Sequence, residues 1–142
     1  MHMNWQKALG IIACITVIIS CFMHWAFYPD LQKFFTGFDS LVNYKGRMIN
    51  YYGRPGFLLS FFAGLSLIFH IVPKNWAKRV NLIFGALCMA TVIKSFLTFT
   101  SAYSGIVPEK QLGIYLLAGG AIVNLICVIF VKVQPVKTTV AE

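Results

Sequence analysis

The sequence predicts an all-α fold: an integral membrane bundle of four transmembrane helices, with an amphipathic interfacial helix in the first outer loop. Composition is the first reason. Hydrophobic residues fill 58% of the 142 positions and charged residues only 11%, where a soluble domain averages roughly 45–50% and about 25%. The second is a mean hydropathy of +0.75, which places the chain in lipid. The third is a set of apolar runs close to the roughly 20 residues that a helix rising about 1.5 Å per residue needs to cross a core about 30 Å thick. At this length the chain is a single domain.

The first run covers residues 8–28 and stops at Pro29 and Asp30. The second, 57–72, follows Arg54, Pro55 and Gly56 and precedes Pro73 and Lys74. It is short, so it is expected to start a turn early or to reach the interface through Trp76, whose amphipathic ring suits the headgroup level. The third and fourth, 80–102 and 112–131, are separated by Gly105, Pro108 and Glu109, and Lys132 closes the last. Lys7 followed by Ile18-Ile19-Ser20-Cys21 has the look of a lipoprotein cleavage box. The apolar stretch runs on past Cys21 to Tyr28, however, and is expected to stay as a span. Residues 134–142 are expected to form a short flexible tail.

Four spans place both termini on one side. Lys7, Lys74, Lys78, Arg79, Lys132 and Lys137 would share that side, against Lys33, Lys45, Arg47, Arg54 and Lys110 on the other. The dense cluster around Trp76 sits in the shortest loop, while Asp30, Asp39 and Glu109 fall opposite. Both termini are therefore assigned to the cytoplasm of a bacterial inner membrane.

In the long first loop, Leu31, Phe34, Phe35, Phe38, Leu41 and Val42 recur at the spacing of a helical stripe, with Asp30, Gln32, Lys33, Thr36, Asp39, Ser40 and Asn43 on the other face. Pro29 suits a helix start and Gly46 a stop. This predicts a helix over about 30–45, lying on the outer leaflet or folded over the bundle. A connector rich in tyrosine and arginine (Tyr44, Arg47, Tyr51, Tyr52, Arg54) leads into the second run.

Lys94 is the sharpest chemical feature, because an ionisable group within a span costs at least about 2.5–3.5 kcal/mol at the bilayer centre. It can snorkel to the headgroups. Thr91, Lys94, Thr98 and Ser101 nevertheless share one arc of the third span, and such a stripe usually faces a bundle interior, another helix or a wet cavity. Asp30, Asp39 and Glu109 are the ion-pair candidates. If none reaches Lys94, then Lys94, Thr91, Thr98 and Ser101, capped by Tyr44, Arg47, Tyr51, Tyr52 and Arg54, would form an outer pocket for a lipid phosphate or a small anion.

Other chemistry finds little support. His24 and His70 lie at different depths, so a shared haem iron is not expected, nor is a histidine metal site without clustered partners. Cys14, Cys21, Cys88 and Cys127 contain no C-x-x-C pair, and Cys14 and Cys21 are too far apart along one helix for a disulfide; buried free thiols are expected. With Asp and Glu numbering 4 in all, acid–base and phosphoryl-transfer enzymes have few candidate residues. The net charge of +8 is scattered between apolar runs and does not form a basic face, which argues against nucleic acid. Small residues at Ser60 and Gly64, Ala86 and Ala90, and Ala118–Ala121 with Asn124 allow close helix contact.

The functional expectation is a non-catalytic accessory or scaffold subunit of a larger membrane complex. It has no catalytic residues, cofactor or metal, and its partners are membrane lipids and other subunits or a second copy. The alternative is a lipid- or small-anion-binding bundle, possibly a transporter, built around Lys94.

Overall fold

The computed structural model describes residues 5–29, 32–39, 41–44, 47–50, 53–101 and 107–131, and only the backbone within 41–50. Long apolar helices dominate: α1 (Trp5–Phe22), α2 (Pro55–Ile71), α3 (Asn75–Thr100) and α4 (Leu112–Ile129). Each of α1 and α3 packs against both α2 and α4, so the four close a ring. α1, α3 and α4 are long and apolar enough to cross a membrane; α2, at 17 residues, is shorter. Pro55 occupies the start of α2, where a missing N–H costs nothing, and sets the beginning two residues ahead of the apolar run.

The side chains are sorted as lipid dictates. The buried side of α1 is Gly10, Ala13, Cys14, Val17, Ser20 and Cys21, all small, medium or polar, whereas Ile12, Ile19 and Phe22 point outward at 59%, 55% and 67% exposure. α3 repeats the arrangement, with Gly85, Cys88 and Ser95 inside and Ile83 and Leu97 outside. Helices in hydrocarbon gain nothing by hiding large apolar groups from lipid, so close approach through small residues decides which face turns in. The chain is thus a multi-pass helical membrane protein.

One end of the bundle carries a sheet. β1 (Ala26–Tyr28) pairs antiparallel with β2 (Lys33–Phe35) on one side, Ala26 opposite Phe35, and with β5 (Glu109–Lys110) on the other, Phe27 opposite Glu109. β3 (Leu41–Tyr44) and β4 (Arg47–Asn50) form a separate hairpin. The helix expected over 30–45 is therefore corrected: its described residues are strands and turns. Helical spacing would put Phe34 and Phe35 on one stripe, but Phe34 is 46% exposed and Phe35 fully buried, the alternation of a strand. An available edge on β1 for β2 to pair with overrides the stripe. Asp39, assigned to the polar face of that helix, instead accepts from the backbone N–H and the hydroxyl of Thr36 at 3.2 and 3.0 Å, closing a turn.

The first run is likewise divided. α1 ends at Phe22, and the apolar residues after it continue as β1 because Trp25, Ala26 and Tyr28 are buried against the bundle. Trp25 is the anchor. Its N–H donates to Phe35 O (2.7 Å), its carbonyl accepts from Gln111 N (3.0 Å), its indole Nε1 donates to Ser20 O (2.7 Å), and its ring meets Phe99 edge-on at 5.2 Å. α4 is pinned beside it, with Gly113 N donating to His24 O at 3.1 Å. A Cβ on Gly113 would lie 2.5 Å from that carbonyl oxygen. Gly113→Ala is therefore expected to push α4 from the sheet at a cost of about 1–3 kcal/mol, read as a lower melting midpoint in detergent; an unchanged midpoint would contradict the junction described.

Candidate functional site

The sequence-predicted stripe lies on the outside of the bundle. The face of α3 that turns inward is Ala77, Asn81, Gly85, Cys88, Val92, Ser95 and Phe99, while Lys94 and Ser101 are exposed and Thr91 and Thr98 half-buried. The hydroxyls are taken up by their own helix: Thr91, Thr98 and Ser101 donate to the carbonyls of Leu87, Lys94 and Leu97 at 2.8, 2.8 and 2.6 Å. Lys94 has no partner among the described residues. Of the ion-pair candidates, Asp39 is engaged by Thr36 and Glu109 is exposed on β5. Asp30 lies outside the described residues, as do Tyr51, Tyr52 and the tail 134–142. Tyr44 and Arg47 are brought directly opposite each other across the β3–β4 hairpin, and Arg54 is exposed ahead of α2.

Buried polar groups gather elsewhere, around Asn124 on α4. Its Oδ1 accepts from His70 Nε2 at 3.0 Å, Ser66 Oγ at 3.3 Å and Cys14 Sγ at 3.3 Å. The amide oxygen can only accept, so with this orientation of Asn124 the donor is His70 Nε2. α1, α2 and α4 are thus tied to one atom. Asn124, Ser66 and Cys14 are fully buried and His70 is 6% exposed. Three donors crowd an oxygen with two lone pairs, while among the described residues Asn124 Nδ2 is buried without a partner, as is Oδ1 of Asn81 on α3. The imidazole fits a notch: a Cβ on Gly10 would lie 2.5–2.9 Å from three of its ring atoms. Just beyond, Lys7 Nζ donates to Ile71 O at 2.8 Å and closes the last turn of α2.

The cluster was visible in part. Ser66 and His70, and Gly10 and Cys14, are each four residues apart and so share a helix face. An ionisable residue inside a span is a functional candidate whatever its metal prospects. His24 stands apart from it at the sheet end, its ring 4.8 Å from Phe34. The four cysteines are buried free thiols. Among the described residues no three of His, Cys, Asp or Glu converge on a point that would hold a metal ion.

Fold and site together define a helical membrane protein with a small sheet fixed to one end and a hydrogen-bonded interior. Comparison with known protein families, with curated proteins and with solved structures finds no match in any of the three.

Proposed function

We propose that the protein is a non-catalytic accessory or scaffold subunit of a larger membrane assembly, in a bacterial inner membrane with both termini in the cytoplasm. One observation carries this. Lys94 and Ser101 of the α3 stripe are exposed and Thr91 and Thr98 half-buried, away from the residues that α3 turns inward, which leaves this side open to a neighbouring chain. Cys14, Ser66 and His70 each bond to Asn124 Oδ1 and so tie α1, α2 and α4 together, which suits a rigid binding body. The cytoplasmic assignment rests on the cluster of Lys74, Lys78 and Arg79 at the end opposite the sheet.

Native mass spectrometry of the protein, extracted gently from its own membrane, tests the proposal. Other polypeptides bound at fixed stoichiometry are expected. A monomer or homo-oligomer carrying a reproducible small mass would overturn it in favour of a lipid- or anion-binding protein.

A further inference from the structure

We propose, resting on the accessory-subunit reading, that the outer face of α3 docks a membrane-spanning helix of a different polypeptide. Lys94 meets a carboxylate that this helix carries inside the bilayer. Ile83, Leu87, Ala90, Lys94 and Leu97 are all exposed and follow one another at steps of four, three, four and three residues. That is the seam of two helices packed at a shallow crossing angle. Ala86 and Ala90 on this face lower its surface so that a second backbone can approach. A charged residue at one seam position fixes register and partner at some cost in stability.

Depth separates the occupants that Lys94 accepts. Taking Arg79 and Thr100 as the two edges of the hydrocarbon core, Lys94 lies about 9 Å inside the nearer edge and about 7 Å from the mid-plane. Side chains on a helix lean toward its N-terminus, and here that direction leads from the nearer surface toward the mid-plane. Snorkelling and lipid phosphates are both disfavoured by this geometry. A second copy does not serve either, because the acidic residues Asp30, Asp39, Glu109 and Glu142 all fall outside α1–α4. A carboxylate carried at that depth on a spanning helix would come from another chain.

The experiment compares wild type with Lys94→Met and Lys94→Arg, each purified as the native complex in mild detergent, with co-purifying chains identified by sequence. The expected result is a chain with an acidic residue in a spanning segment, reduced about tenfold in recovery by Lys94→Met and retained by Lys94→Arg. Lys94→Glu should lose that chain and regain it when the partner's acid is changed to lysine. Because Lys94 is on the outer face, unchanged melting of the variants verifies that the bundle is intact. If the chain is retained undiminished in Lys94→Met and Lys94→Glu, the docking face is wrong while the subunit reading survives. If wild type brings down no other chain, or only itself in a Lys94-dependent way, the proposal fails together with that reading.

Discussion

Replacing Trp25 by alanine is expected to destabilise the protein by about 3–5 kcal/mol, the cost typical of deleting a fully buried tryptophan. Trp25 has no exposed surface, and its ring fills the space between the end of α1, the β1–β2 pair and Phe99. The substitution removes three things together: the ring volume, the edge-on contact with Phe99, and the indole donor to Ser20 O at 2.7 Å. Against a total stability of about 5–15 kcal/mol, the loss is large enough to free the sheet from the bundle. The measurement is unfolding in detergent combined with limited proteolysis of residues 23–50. Trp25→Phe, which keeps most of the volume and loses only the indole hydrogen bond, should fall about 1 kcal/mol below wild type plus a small packing loss. Equal stability of Trp25→Ala and wild type would mean that the sheet is not held through this ring.

The helices were legible because apolar length alone announces them in a membrane protein, although α3, Asn75–Thr100, starts ahead of the run 80–102, and α4, Leu112–Ile129, stops short of the end of 112–131. Their ends were not, since apolarity does not stop where a helix does. The run 8–28 is mostly apolar to its end, yet helix gives way to strand after Phe22, because Trp25, Ala26 and Tyr28 are buried by the bundle end and need the same chemistry for a different reason. The strands of the first loop were hidden by a coincidence of spacing. Phe34, Phe35 and Phe38 satisfy a helical stripe, and only the pairing of β2 with β1 across the short turn at Pro29 decides for extended backbone. The two-residue β5 has no signature of its own; it exists because Trp25 and Ala26 present an edge beside it.

The candidate site was less legible for a related reason. In water, a polar arc on an apolar helix marks the outside. In lipid both faces are apolar, so the arc of Thr91, Lys94, Thr98 and Ser101 carried no sign of direction. Residue size did not settle it either: Gly85, Cys88 and Ser95 turn inward on α3, while Ala86 and Ala90 of the same helix are exposed. Gly10, Cys14, Ser66 and Asn124 are buried. Their convergence on one amide oxygen depends on the relative heights of three helices, which no local pattern records.

Gly10→Ala is expected to destabilise the protein by about 2–3 kcal/mol, and to do so only while His70 is present. The new methyl would lie 2.5 Å from His70 Cε1 and 2.7 Å from Nε2, so the ring must move. It is held on the other side by its 3.0 Å bond to Asn124 Oδ1. Overpacking costs about 1–3 kcal/mol, and losing an interhelical hydrogen bond inside a membrane about 0.6–1.7 kcal/mol. Against these stands the helix preference of alanine over glycine, about 0.5–1 kcal/mol in the opposite direction. The steric and hydrogen-bond terms outweigh it. In a His70→Ala background the three atoms nearest the new methyl and the bond to Asn124 are gone, so the same Gly10→Ala change should become neutral or stabilising by up to about 1 kcal/mol. Reversible unfolding of the four proteins of this cycle measures the coupling directly. The sign reversal separates a ring seated in the Gly10 notch from general damage to α1, which would destabilise both backgrounds alike and refute the geometry of the cluster.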